Sequence, residues 1–315
     1  MLNDEFVCVA VDSAVNKLRK DRLGDFFRTI VEQGHYGGRT QPTGTRQGLY
    51  VATPDGRLLS SNNETAVRHV LGLLYQTSRQ WKTQFAGVAF KPVDSEVARD
   101  PGTRAKFPEN GIRLLEVNRD LPRARQKPID QWRHNLDYAW LTADEAKSFI
   151  PADAKVDATV LIGQGIQDRF VRFHLIDQVR GLSNPWRKTD IESSTLQSKI
   201  MKMDETKIYL NVNGSVRVNQ KPSGDLNPFN GRRVTKDRGL DLKITGRLVF
   251  NRKSETFERF DILAIGDRWG TDVYNFRHND IETAPIGFGF SLDNSKTERR
   301  REPLYVKRDG YFAKQ

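Results

Sequence analysis

LDLKITGRLVFN (Leu240–Asn251), NRKSET (251–256) and TFERFDILAIGD (Thr256–Asp267) decide how the second half of this chain is read. Leu240, Leu242 and Ile244 alternate with Asp241, Lys243 and Thr245. Successive side chains of a strand point to opposite faces, so this alternation predicts a strand with one face buried. The polar NRKSET then predicts a hairpin connection to the next strand. KIYLNVNGSVRV (207–218) and DRFVRFHLID (168–177) read as further strands, with Gly214 and Gly246 expected at bulges or bends. In DYAWLTADEAKSFIP (137–151), Thr142 followed by Glu145 has capping-box spacing and Pro151 marks a stop, which predicts a short helix. Residues 128–315 are therefore expected to form a mainly antiparallel β domain with short helices, either a β-sandwich or a curved sheet. Residues 91–127 read as a linker enclosing one strand, GIRLLEV (111–117).

Residues 1–90 have a different rhythm. FVCVAVD (6–12) carries apolar residues on both alternating sets, the pattern of a central strand covered on both faces. Leu18, Leu23, Phe26, Phe27, Ile30 and Val31 recur at helical spacing, with an end at Gly34. In GLYVATPDGRLLSSNN (48–63), Pro54, Asp55 and Gly56 between two apolar runs predict a hairpin. ETAVRHVLGLLYQTSRQW (64–81) then carries a helical stripe of Val67, Val70, Leu71, Leu74 and Tyr75.

That hairpin and helix resemble the closing elements of thioredoxin-like domains, and LNDEFVCVAVD resembles the strand that follows their active-site helix. The resemblance implies a mixed sheet flanked by helices over residues 1–90, so the whole chain is expected to be α+β. The β-rich part resembles, more weakly, domains of bacterial proteins of unassigned function. Two departures limit what carries over. The only cysteine is Cys8, so the Cys-x-x-Cys pair is missing, and Arg46 and Gln47 stand where the family usually has a cis-proline. Within an apolar strand, Cys8 reads as a small buried hydrophobe rather than a nucleophile.

The 315 residues carry 51 Lys and Arg against 40 Asp and Glu, a formal net charge of +11. Basic residues lie mostly among acidic ones and concentrate only in TERRREP (297–303) and VKRDG (306–310), which reads as a solvated face more than a nucleic-acid site. No run reaches the roughly 18–20 apolar residues of a membrane span, and no secretory signal opens the chain, so the sequence as written reads as cytoplasmic.

Two clusters stand out as candidate binding residues. FHLIDQVRGLSNPW (173–186) gathers His174, Asp177, Arg180 and Trp186, suited to proton transfer or anion binding. GDRWGTDVYNFRHND (266–280) gathers Arg268, Trp269, Arg277 and His278, suited to a recognition surface. Both also read as packed corners. His134, His174 and His278 lie far apart, so no metal is expected, and the short GQG and GFGF runs imply no dinucleotide or other cofactor. The sequence alone supports a non-catalytic two-domain protein, a degenerate thioredoxin-like region with a β-rich binding domain. The alternatives are a thiol-disulfide oxidoreductase whose redox residues lie upstream of Met1, and a basic protein binding nucleic acid or an anionic surface.

Overall fold

A computed structural model describes residues 5–11, 13–16, 19–35, 46–64, 66–90, 105–123, 134–226, 231, 233–294, 302–306 and 308–312. The chain divides into two compact units, Met1–Arg104 and Ala105–Gln315. The basic run at 297–301 and, in the expected linker, residues 91–104 and 124–127 lie outside the described residues.

In the first unit, α1 (Ser13–Asn16) precedes α2 (Arg22–Glu32), whose N-cap Asp21 accepts a hydrogen bond from the Gly24 amide. The expected hairpin is present. β1 (Leu49–Ala52) pairs antiparallel with β2 (Leu58–Asn62), and Gly56 takes a φ of 88° in the turn, a conformation that favours glycine. α3 (Val67–Gln84) follows and buries Leu73, Leu74, Thr77 and Ser78. Val67, Leu71 and Tyr75, expected on the buried stripe, are exposed. The FVCVAVD segment differs most from expectation. Val7 and Val9 are 92% and 74% exposed, Cys8 is exposed, and residues 6–11 join no sheet. A strand apolar on both sides needs a neighbour on each edge and cover on each face. The described part of this unit offers one two-stranded sheet.

The second unit is one antiparallel sheet rather than a sandwich of two. Its strands are β3 (Ile112–Asp120), β4 (His134–Leu141), β5 (Thr159–Leu161), β6 (Ile191–Met203), β7 (Lys207–Gln220), β8 (Arg238–Asn251), β9 (Thr256–Trp269) and β10 (Ala284–Leu292), in the order β4-β3-β10-β9-β8-β7-β6-β5. The strand expected inside the linker is thus β3, between β4 and β10. Gly214 and Gly246 lie in continuous register, and the irregularities fall instead at 191/193, 200/202 and 249/250. One face of the sheet is buried. It carries Leu240, Leu242, Ile244 and Leu248 from β8, Phe260, Ile262 and Ala264 from β9, and Ile286, Phe288 and Phe290 from β10.

Against this face packs α5 (Gln164–Phe173), in the stretch expected to be a strand. Gln167, Phe170, Val171 and His174 are buried at i, i+3, i+4 and i+7, a helical face in which two of the four residues are polar. Each polar member has a partner. Gln167 donates to the Ile162 carbonyl at 2.7 Å and accepts from the Ser194 hydroxyl at 2.9 Å. Arg169 grips Glu145 at 2.5 and 2.7 Å. Glu145 also closes the predicted capping box at Thr142 of α4 (Ala143–Lys147). Tyr305, Val306 and Tyr311 complete the core from the C-terminal segment.

Candidate functional site

β3 turns Ile112, Leu114, Glu116, Asn118 and Asp120 to the buried face, and three of the four that are fully buried are polar. They seed two separate clusters, and these divide the residues singled out in 173–186.

The first cluster forms at the Asp120 end of β3. Arg277, 0% exposed, places Nη2 2.6 Å and Nη1 2.9 Å from the two carboxylate oxygens of Asp120. Its Nε and Nη2 lie 2.8 and 2.9 Å from Asp177, and Nη1 also reaches Asp280 at 3.1 Å. All five guanidinium N–H groups are thereby directed to three carboxylates. Arg180 bridges Asp120 and Asp280 at 2.9 Å each, Arg268 also binds Asp280, and Arg123 reaches Asp280 at 2.8 Å. The loop that delivers Arg277 is held by the Asn275 side-chain oxygen, which accepts from the Thr271 hydroxyl and from the amides of Asp272 and Arg277. Phe276, at φ 54°, turns outward while Arg277 turns in. The guanidinium groups beside them hold the Asp120 and Asp280 carboxyls below the usual range against the opposing effect of burial. Asp177, Arg180, Arg268 and Arg277 are thus brought together, with their charges turned on one another.

Trp186 is buried, donates to the Leu175 carbonyl at 2.7 Å, and lies 4.1 Å beneath the Arg238 guanidinium, itself paired with Asp272 at 2.9 Å. Trp269 points to the opposite face of the sheet from Arg268, donates to Asn219 at 3.1 Å and is half-buried. His278 is half-buried in the turn after Arg277.

The second cluster takes His174 away from Asp177 and Arg180. Nδ1 of His174 lies 2.8 Å from Glu116 Oε2, and Nε2 lies 2.9 Å from the Tyr311 hydroxyl, which also accepts from the Trp140 amide at 3.2 Å. Asp137 is directly opposite Glu116 in the β3–β4 register and accepts from the Leu304 amide at 3.1 Å. Glu116 and His174 are at most 1% exposed and Asp137 is 7% exposed. Two carboxylates facing one another across strands repel, and burial removes the water that would screen them. Burial pushes Glu116 well above the usual carboxyl range. Burial and the neighbouring Glu116 push Asp137 up to about 7. Burial likewise pushes His174 down to about 3, so its ring is neutral near pH 7. With the ring neutral, Glu116 donates to Nδ1 when it is protonated, and Nε2–H then donates to Tyr311. Glu116 Oε1 and the amide oxygen of Asn118 have no hydrogen-bond partner among the described residues.

Sequence reading identified His174 and missed Glu116, Asp137 and Tyr311. Glu116 lay inside an apolar strand, Asp137 became its neighbour only through register, and Tyr311 arrives from 137 residues beyond His174.

A third feature belongs to the first unit. Phe6–Val9, the β1 residues Leu49–Ala52, and Leu74, Thr77 and Trp81 of α3 line an open, largely apolar groove of about 850 Å³. Glu5, bonded to Ser78 and to Lys82 at 3.1 Å, lies at its wall. Among the described residues β1 pairs with β2 alone. No described helix is long and apolar enough to cross a membrane. Compared with protein-family models, curated proteins and solved structures, the chain matches none.

Proposed function

We propose that this is a binding protein in which the N-terminal unit, resembling a thioredoxin-like domain without its redox pair, takes up an extended apolar peptide by adding a strand alongside β1. The observation that carries this reading is the groove between β1 and Phe6–Val9, floored by Leu74 and Trp81. A sheet edge offers a row of backbone donors and acceptors to an incoming strand, and apolar walls select alternate side chains. Val7 and Val9 supply such walls and are largely exposed. The single cysteine of the chain, Cys8, also lines the groove, and one thiol cannot close an intrachain disulfide. In the β-rich unit, the charged residues that sequence reading offered for binding are spent on internal pairs, which favours the groove as the binding surface.

The test is a titration of the full chain with the capped hexapeptide Thr-Val-Thr-Val-Thr-Val, followed by Trp81 fluorescence, with Trp81→Phe identifying the signal. Saturable binding that is lost when alternate peptide amides are N-methylated, and weakened by Val51→Asp, supports strand addition. Equal binding of the methylated peptide, or no saturable binding, overturns it.

A further inference from the structure

We propose that Glu116, Asp137 and His174 form a site for one divalent transition-metal ion such as Zn²⁺, closed over by the C-terminal segment. Their candidate ligand atoms all lie within 4.8 Å of one another. Ligands on one tetrahedral zinc ion, each about 2.0–2.2 Å from it, lie about 3.3–3.6 Å apart, so side-chain rotation must draw the farthest atoms in by no more than about 1.5 Å. The 2.8 Å separation of His174 Nδ1 and Glu116 Oε2 already suits two neighbouring ligands on one ion.

The surroundings have the form that metal sites require. A metal-bound imidazole ordinarily donates its other N–H to a fixed partner, which sets the ring orientation and tautomer. His174 Nε2 has such a partner in the Tyr311 hydroxyl at 2.9 Å. Asn118, 0% exposed, presents its amide beside the Glu116 carboxyl, yet among the described residues its oxygen has no hydrogen-bond partner, nor has Glu116 Oε1. Buried polar atoms ordinarily have partners, because an unmade bond in low dielectric is costly. An ion drawn by Glu116, Asp137 and His174 would give Glu116 Oε1 or the Asn118 oxygen a fourth ligand position. It would also turn the facing carboxylates from a repulsive pair into an attractive set. One imidazole with two carboxylates matches zinc and its first-row neighbours better than calcium or magnesium, which take oxygen ligands.

The site sits beneath Leu304 and Tyr311, which bond Asp137 and His174 directly. The ion would therefore enter as the unit folds or when this segment lifts.

The experiment refolds the full chain from denaturant with and without ZnCl₂, removes loose metal on a chelating column, and measures retained zinc by mass spectrometry. A Co²⁺-loaded sample provides the ligand-field spectrum. The expected result is one retained Zn²⁺ per chain, a higher melting temperature with zinc, and loss of retention in Glu116→Gln and Asp137→Asn. Tyr311→Phe keeps every ligand and should weaken affinity about 10–100-fold through the loosened imidazole. It also decides the matter where a ligand variant does not fold. No retained zinc in the wild-type chain overturns the proposal, and so does retention or affinity unchanged across these variants.

Discussion

Replacing Arg277 by Lys tests whether the Asp120–Asp177–Asp280 cluster is a single charge-compensated unit. Arg277 places two N–H groups on each of Asp120 and Asp177 and shares Nη1 with Asp280. Lysine carries a compact ammonium with three donors and cannot reproduce two forked contacts. At least one buried carboxylate would lose its compensation, and breaking a buried pair from one side costs about 3–5 kcal/mol. For a unit of this size, about 2–4 °C of melting temperature per kcal/mol converts that cost to a fall of roughly 6–20 °C. Chemical denaturation at pH 7 measures the free energy, and near-ultraviolet circular dichroism confirms that the variant remains folded before the transition. Adding Asp177→Asn to Arg277→Lys should recover part of the loss, because it removes the orphaned charge. A destabilisation below about 1 kcal/mol, the size of a surface ion pair, would refute the reasoning.

Other consequences are open to direct measurement. Asp137 titrates at about 7 in the folded chain, against an ordinary value of 3.8, so its protonated form is favoured by folding. Its stabilising contribution is full below pH 3.8 and is lost as pH rises to about 7. His174, lowered from 6.5 to about 3, has the opposite sign, contributing fully above pH 6.5 and less as pH falls. Asp137→Asn removes the first effect, so in metal-free urea melts its stability relative to wild type should climb between pH 4 and 7 and level off above. A flat difference contradicts the assignment. Gly239→Ala should destabilise the β-rich unit by about 1–3 kcal/mol, because an added Cβ would collide with the Trp269 ring and the Val218 carbonyl; unchanged melting would show that the sheet yields there. Thr142→Ala, which opens the capping box of α4, should cost about 0.5–2 kcal/mol in the same melts.

The long strands β7, β8 and β9 were legible because their inward residues are apolar and their outward ones polar, so period two shows in the sequence. The same rule misread α5. Its buried face includes Gln167 and His174, whose partners are distant in sequence, so the helical period was masked and the local run from Phe170 to Leu175 looked alternating. FVCVAVD was misread for the converse reason. Apolar content reveals a wish for burial, whereas its fulfilment depends on neighbours, and Val7 and Val9 have little cover in this chain. Of the candidate residues, Asp177, Arg180, Arg268 and Arg277 do meet. Asp120 and Asp280, which join them, could not be placed without the register of β3 against β10 and the path of the loop after β9.

That register is itself chosen by the polar groups. In β3 hydrophobicity alone does not choose the face, since Leu115 and Val117 stand in one alternating set and Ile112 and Leu114 in the other, which also takes Glu116, Asn118 and Asp120 to the interior. The structure takes the second option and pairs Asp120 with Ile286 and Glu116 with Phe290. A slip of one residue would turn every inward side chain of β3 outward. It would exchange Ile112 and Leu114 for Leu115 and Val117 in the interior, turn Arg113 and Arg119 inward, and strip Arg277 of Asp120 and His174 of Glu116. Arg277 would keep Asp177 and Asp280, yet breaking a buried pair from one side costs about 3–5 kcal/mol, and exchanging two aliphatic side chains for two others offers no offset. The charge pairs therefore decide a register that the apolar residues of β3 leave open. In doing so they carry Glu116 into the interior opposite Asp137, where the arrangement is repulsive until a proton or a cation is shared between them.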